Sequence, residues 1–263
     1  MQNIKMIVTD LDNTLLRKDK TISNYTKSII KKCIDYGLIV VFATARPERA
    51  TRQWQINKES SYVIANNGAT ITHNKKEIMN IAIPEATKHN IIKRFANDPH
   101  VTGITAEVGD FLYTLNTDGW VMKGDDGGWN PVLHDFTIPV KEDMCKLCVE
   151  CKNSEIVSSI LSEFPDLRIL PNSGEEWHMI MHKSASKFNA ISYLAKLKGI
   201  SMQDIIAFGD DYNDVDMLKG CGVGVAVENA IDSAKQVADY ICEPNDEDGV
   251  ARYIDKYVEY RKE

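Results

Sequence analysis

No apolar run in the sequence approaches the ~20 residues of a membrane span; Leu38 to Ala43 is among the longest. Nor is there an excess of positive charge. Lys and Arg total 31 against 38 for Asp and Glu, a net charge of -7, which disfavours nucleic acid or an anionic membrane as the main partner. Cysteine is sparse, six in 263 residues, too few for a disulfide scaffold in a chain this long. The segment from Met1 to Lys5 runs into an apolar strand pattern without a signal-peptide core. These absences lead us to expect a cytoplasmic protein. There is also no internal repeat and no low-complexity tract. The chain does have an ordinary globular composition, 43% hydrophobic and 26% charged. Its length suits one large domain or two modest ones at roughly 150 residues each.

Short β-branched runs alternate with helical patterns at both ends of the chain. Met6 to Thr9, Leu38 to Phe42 and Tyr62 to Ala65 are continuous and apolar, as expected of parallel strands buried on both faces. Between the first two, Ser23 is placed to cap a helix carrying Tyr25, Ile29, Ile30, Cys33 and Ile34, with Gly37 as its stop. A second helix is expected to begin near Pro47. The same alternation returns after residue 184. A helix bearing Phe188, Ile191, Leu194 and Ala195 precedes strands Ile205 to Phe208, Val223 to Val227 and Tyr240 to Cys242, with helices between and after them. Residues 84–183 read differently: turn signals at Asn97 to Pro99, Asp118-Gly119 and Asp125 to Gly128, and a helix capped by Asn153 or Ser154, suggest α+β architecture. The expected fold is therefore α/β. A doubly wound, parallel, Rossmann-like sheet is formed by residues 1–83 and 184–263, and residues 84–183 form an inserted α+β cap domain.

Chemistry gathers at the predicted strand ends, where open α/β sheets bind ligands. Asp10-Leu11-Asp12-Asn13-Thr14 follows the first strand, and two carboxylates two positions apart there can serve one site. Thr44-Ala45-Arg46 follows the second strand, where a hydroxyl and backbone N–H groups can hold phosphate oxygens. Lys187 opens a helix, a position unfavourable for a cation unless an anion compensates. Gly209-Asp210-Asp211-Tyr212-Asn213-Asp214 follows a later strand. Carboxylates brought this close repel unless a hard cation intervenes, and Mg2+ suits an all-oxygen cluster. Each motif also has a plain reading: a solvated turn, an ordinary cap, a surface lysine, an acidic helix start.

In this order and placement, the motifs resemble the haloacid dehalogenase-like superfamily. The insertion and Asn66-Asn67-Gly68-Ala69 look like its Cof-type phosphatases with a large α/β cap (subclass IIB), as do Gly224 to Ala230 and Glu247 to Ala251. The resemblance implies that Asp10 is the nucleophile forming an aspartyl-phosphate and that Asp12 is the general acid and base. Asp10, the Asp12 carbonyl and Asp210 would hold Mg2+, supported by Asp214 through water. Thr44, the Ala45 backbone, Lys187, Asn213 and the Leu11 backbone would bind the phosphoryl group, with Arg46 and Asn67 on core loops as further substrate contacts. Asn13, Ala45 and Phe188 stand where the family usually has glycine. Elementary electrostatics agrees with a metal requirement, since two unit charges ~4 Å apart repel by ~4 kcal/mol at an effective dielectric of ~20. Protonating a leaving alkoxide would require Asp12 to titrate above the ~3.9 of free Asp.

The resulting expectation is a Mg2+-dependent phosphatase of a small phosphorylated metabolite, a sugar phosphate, acting as a monomer or weak dimer. The alternatives are a phosphohexomutase of the same cap class and a non-catalytic metabolite-binding protein. A dehalogenase fits less well, because halide needs no proton from Asp12. Glu107, Trp120, Trp129, Glu176 and His178 are candidate contacts to the leaving group. Cys145, Cys148 and Cys151 have no fourth cysteine nearby, and Leu147 to Val149 reads as a strand. His178 and His182 are four apart, but Trp177 to Met181 is more strand-like than helical, so neither set is read as a metal site. Gly220-Cys221-Gly222-Val223-Gly224 enters a strand rather than opening a helix, so it is not read as a dinucleotide loop.

Overall fold

The computed structural model describes residues 4–56, 61–115, 131–170 and 177–258. Trp120, Trp129, Glu176 and the turn signals at 118–119 and 125–128 lie outside them. In chain order the elements are β1 (Met6–Thr9), α1 (Asn24–Asp35), β2 (Ile39–Ala43), β3 (Tyr62–Ala65), β4 (Thr70–His73) and β5 (Lys76–Asn80). There follow α2 (Glu85–Ala96), β6 (Val101–Val108), β7 (Phe111–Thr114), β8 (Pro131–Leu133), β9 (Met144–Cys151), α3 (Ser154–Leu161), β10 (Leu167–Leu170) and β11 (Trp177–His182). The chain ends with α4 (Lys187–Lys198), β12 (Ile205–Gly209), α5 (Val215–Gly220), β13 (Val223–Val227), α6 (Asp232–Val237), β14 (Tyr240–Cys242) and α7 (Gly249–Tyr257).

Two compact units result. One comprises Met1–Glu48, Arg52–Met79 and Ser186–Glu263; the other comprises Arg49–Thr51 and Asn80–Ala185. The divisions fall a few residues outside the crossings expected near 83 and 184. The first unit holds an eight-stranded sheet in the order β14-β13-β12-β1-β2-β3-β4-β5. Strands from β14 to β3 run parallel, and β4 turns back antiparallel to β3. Successive residues of β1 serve opposite cores: Ile7 joins Phe42 and Phe208 on one face, while Met6 and Val8 join Val41, Ile64 and the α4 residues Ile191 and Leu194 on the other. That two-sided burial is why the strands read as continuous apolar runs. The second unit holds a six-stranded sheet, β10-β11-β9-β6-β7-β8. It is antiparallel apart from the β7–β8 pair, and its core includes Phe95, Leu147, Val149 and Val157.

Two elements differ from the sequence expectation. Pro47 is extended, with ψ 155, and only a single 3-10 turn, Glu48–Thr51, follows where a helix was expected. The β4–β5 pair was not foreseen. It is reached through Asn66, Asn67 and Gly68 at φ 48, 52 and 91, and it turns at Asn74 and Lys75 with φ 49 and 60. A turn with two positive φ values usually advertises itself through glycine, and lysine there hides it.

The C-terminal ends of the adjacent parallel strands β12, β1, β2 and β3 lie along one edge of the sheet. Chain order reverses between β1 and β12, the switch point at which such sheets bind ligands. Position matters at Gly68 as well. A Cβ there would sit 2.1 Å from the carbonyl oxygen of Ser186, the residue that caps α4 and so sets the position of Lys187. Gly68→Ala should therefore cost about 2 kcal/mol or more in urea unfolding, with kcat reduced as α4 shifts. Unchanged stability and activity would show that this approach is not needed.

Candidate active site

Asp10 follows β1, Thr44 follows β2, Asn66 and Asn67 follow β3, and Asp210 follows β12. The π-type turn Leu11–Leu15 after Asp10 places Asn13 at φ 58, a left-handed conformation that asparagine tolerates where the family usually has glycine. Phe188, another departure from glycine, finds room against Gly220, where a Cβ would meet its ring at 2.2 Å.

The centre of the site is the Lys187 ammonium, which is buried. Its Nζ donates to Asp10 Oδ1 at 2.6 Å and to Asp214 Oδ1 at 2.7 Å. These two carboxylates are the anions that a lysine at a helix N-terminus calls for. Asp214 is held from its other oxygen too: Oδ2 accepts the backbone N–H groups of Asp210 at 3.0 Å and Asp211 at 3.1 Å. Gly209 makes this possible, because a Cβ there would lie 2.5 Å from the Asp214 Cβ. Thr14 Oγ1 donates to Asp210 Oδ1 at 2.6 Å, giving the last residue of the Asp10 motif a partner that spacing alone did not reveal.

Asp10, Asp210 and Asp214 each direct a carboxylate oxygen to within 4.8 Å of the others. Among the described residues this is the one such grouping of three or more Asp, Glu, His or Cys. Burial and the neighbouring carboxylates push Asp10 well above the ordinary range against the pull of Lys187. Burial and Asp214 push Asp210 up to about 7, against the lowering effect of Thr14. Three crowded, oxygen-only carboxylates, two of them raised in proton affinity, fit a hard divalent cation such as Mg2+.

Asp12 behaves differently from the sequence expectation. Burial raises its proton affinity, but hydrogen bonds and charges from Arg46 and Lys20 outweigh it and hold the carboxyl below the ordinary range. Arg46 grips it bidentately, Nε to Oδ2 at 2.6 Å and Nη2 to Oδ1 at 2.8 Å, and Lys20 Nζ reaches Oδ1 at 2.8 Å. The expected elevation is thus corrected: in this state Asp12 is a carboxylate facing two cations. Lys20 carried no motif to flag it.

The remaining core residues gather around the same strand ends. Thr44 is buried and accepts the Arg46 backbone N–H at 3.1 Å. Asn213 donates to Asn67 Oδ1 at 2.7 Å. Ala45 and Leu11 adjoin Thr44 and Asp10 in the chain. Within the second unit, Glu107 lies buried on β6, with Oε2 accepting from Arg49 Nη2 at 2.7 Å and Oε1 3.9 Å from Lys146 Nζ. His178 on β11 meets the Cys151 carbonyl at 3.1 Å. All six cysteines are free.

The protonation of Asp210 has a measurable consequence. Between about pH 4 and 7 the folded, metal-free protein keeps a proton that the unfolded chain has released, so its stability falls as pH rises through that window. A divalent cation takes the deprotonated form and offsets this loss. Mg2+ should therefore raise Tm more at pH 8 than at pH 6, and Asp210→Asn should flatten the difference. An equal or larger increment at pH 6 would contradict the assignment.

A profile of the haloacid dehalogenase-like hydrolases matches residues 7–254. The chain is 29% identical over 265 residues to the 5-amino-6-(5-phospho-D-ribitylamino)uracil phosphatase YitU of Bacillus subtilis, covering 96% of this chain and 97% of that one. A crystal structure of a haloacid dehalogenase-like hydrolase from Bacteroides thetaiotaomicron superposes with a TM-score of 0.84 at 25% identity, over 96% of this chain and 99% of the other. The subclass IIB sugar phosphatase BT4131 shares the fold with a TM-score of 0.80 at 21% identity, over 96% and 98% of the two chains. No helix among the described residues is long and apolar enough to cross a membrane. The chain belongs to the haloacid dehalogenase-like hydrolase family and is a phosphoric monoester hydrolase of that family.

Proposed function

We propose that this protein is a cytoplasmic, Mg2+-dependent phosphatase that hydrolyses a small phosphorylated metabolite, a sugar or sugar-alcohol phosphate, through an aspartyl-phosphate on Asp10. The observation that carries this reading is the buried Lys187 ammonium between Asp10 and Asp214. It keeps a carboxylate at the strand end while lowering the cost of bringing an anion to it. The relative named for a phosphoribitylamino-uracil supports a small substrate of this class. In this reading the inserted unit has the part of the family's cap domain.

A carboxylate oxygen of Asp10 bonds to phosphorus as the bond to the leaving oxygen breaks, and the leaving oxygen takes a proton from Asp12. Water then attacks the phosphoryl group of Asp10, Asp12 accepts the water proton, and phosphate departs. Two of the three Lys187 N–H bonds are spent on Asp10 and Asp214, leaving one for a phosphoryl oxygen. The Thr44 hydroxyl, the backbone N–H groups of Leu11 and Ala45, and Asn213 supply further donors, and Asn67 orients Asn213. Arg46 links binding to proton transfer. A phosphoryl dianion that shares the guanidinium in place weakens its pull on Asp12 and raises the proton affinity of Asp12. Asp10, Asp210 and the Asp12 carbonyl, with Asp214 in support, would hold Mg2+, which would supply charge neutralisation for the transferring group.

The test is phosphate release from a panel of sugar, sugar-alcohol and nucleoside phosphates, with Mg2+ and with chelator. Asp10→Asn should reduce kcat to below ~10⁻³ of wild type, and Asp12→Asn should cost ~10²-fold or more. Retained turnover by Asp10→Asn would remove it as nucleophile. Isomerised sugar phosphate without free phosphate would assign the site to a mutase instead.

A further inference from the structure

Trp54 lies outside every motif, yet it touches both residues that hold Asp12. The Arg46 guanidinium carbon sits 4.7 Å from the centroid of its ring, within cation–π range. Its indole Nε1 donates to the Lys20 carbonyl at 2.7 Å. Lys20 itself stands at φ 62, a left-handed conformation uncommon for lysine. It lies in a turn closed by bonds from Lys20 N to the Arg17 carbonyl at 2.9 Å and from Arg17 N to the Thr21 carbonyl at 3.0 Å. Trp54 itself is half-buried and packs against the core cluster that includes Ile22 and Leu16. One aromatic side chain thus ties the loop after β2 to the turn after the Asp10 motif, and each of those two segments sends one cation to the same carboxylate.

We infer that Trp54 is a positioning residue for Asp12: it fixes the two cations whose three hydrogen bonds set the place and orientation of the acid–base carboxylate. The inference rests on the acid–base reading of Asp12 given above. A bidentate guanidinium defines a carboxylate plane only if the guanidinium is itself held, and a flat aromatic face holds it without competing for its N–H bonds. The indole N–H adds a second constraint, keeping the Lys20 turn in register. Without the ring, Asp12 keeps its partners but loses their fixed geometry. Proton transfer is sensitive to such displacement, whereas binding of the phosphoryl group is much less so.

The experiment compares single-turnover phenol release from phenyl phosphate and from p-nitrophenyl phosphate, with Mg2+ present, for wild type, Trp54→Leu, Trp54→Phe and Asp12→Asn. The two probes have nearly the same shape, but phenoxide is the more basic leaving group and gains more from a proton donor. Trp54→Leu should slow release from phenyl phosphate ~10-fold and from p-nitrophenyl phosphate less than ~2-fold, with KM for both within ~2-fold. Trp54→Phe keeps a face for Arg46 and loses the bond to Lys20, so its effect should be intermediate. It carries the test if Trp54→Leu does not fold. Equal slowing of both probes, a change confined to KM, or wild-type rates in both Trp54 variants would overturn the proposal. Asp12→Asn separates the two failures. If it is slowed selectively on phenyl phosphate while the Trp54 variants are not, only the positioning role is lost. If it releases phenol at the wild-type rate, the acid–base reading falls and the positioning role falls with it.

Discussion

The site is organised by one buried ammonium group. Lys187 lies at the first turn of α4, where the helix dipole opposes a positive charge, and burial opposes it further. Asp10 and Asp214 together overcome both effects and hold the lysine protonated far above the physiological range. The constraint then spreads outward. Asp214 must be held in place, and two backbone N–H groups and the missing Cβ of Gly209 give it the partners and the room. The start of α4 must sit close to the β3–β4 turn, which only a glycine at 68 allows. Asp10 must lie at the switch point of the sheet, where β1 and β12 run side by side.

A buried ion network of this kind contributes less to stability than its short distances suggest, because desolvation cancels much of the Coulomb gain. Its value lies in preorganisation. Lys187 is in place before a substrate arrives, and a divalent cation held by the three carboxylates would reduce repulsion between Asp10 and a phosphoryl group further. The carboxylates Asp10 and Asp210 resist ionisation without a cation, so charge, proton and metal are linked at one point. Asp12 stands apart from this centre, held as a carboxylate by two cations of its own, Arg46 and Lys20. The two aspartates of one motif therefore differ because their neighbours differ, as the proposed roles of nucleophile and proton carrier require.

Much of this was legible in the sequence, for identifiable reasons. Strands buried on both faces leave continuous apolar runs, so β1 and β3 were found with their observed bounds, and the residue after each strand could be placed in a site. The Ser23 cap and the Gly37 stop were equally local signals, and the structure shows Ser23 accepting the Thr26 N–H. What spacing could not show was side-chain direction across long separations. Thr14 and Asp210 are 196 residues apart, and Lys20 and Trp54 belong to segments with no chemical motif. The β4–β5 pair was missed because Lys75 occupies a position where glycine would have signalled the turn. The helix expected at Pro47 shrank to a single turn, since Pro47 is extended. The shift in Asp12 came out opposite in sign because the expectation considered the needs of the leaving group and not the resident cations.

In the proposed reaction Asp10, paired with Lys187, takes the phosphoryl group. The most direct measurement is borohydride trapping during turnover with Mg2+, followed by peptide mass spectrometry, because reduction of an aspartyl-phosphate yields homoserine. Homoserine is expected at position 10 in a substrate-dependent amount. Unmodified Asp10 during full turnover, or homoserine at another aspartate, would contradict it.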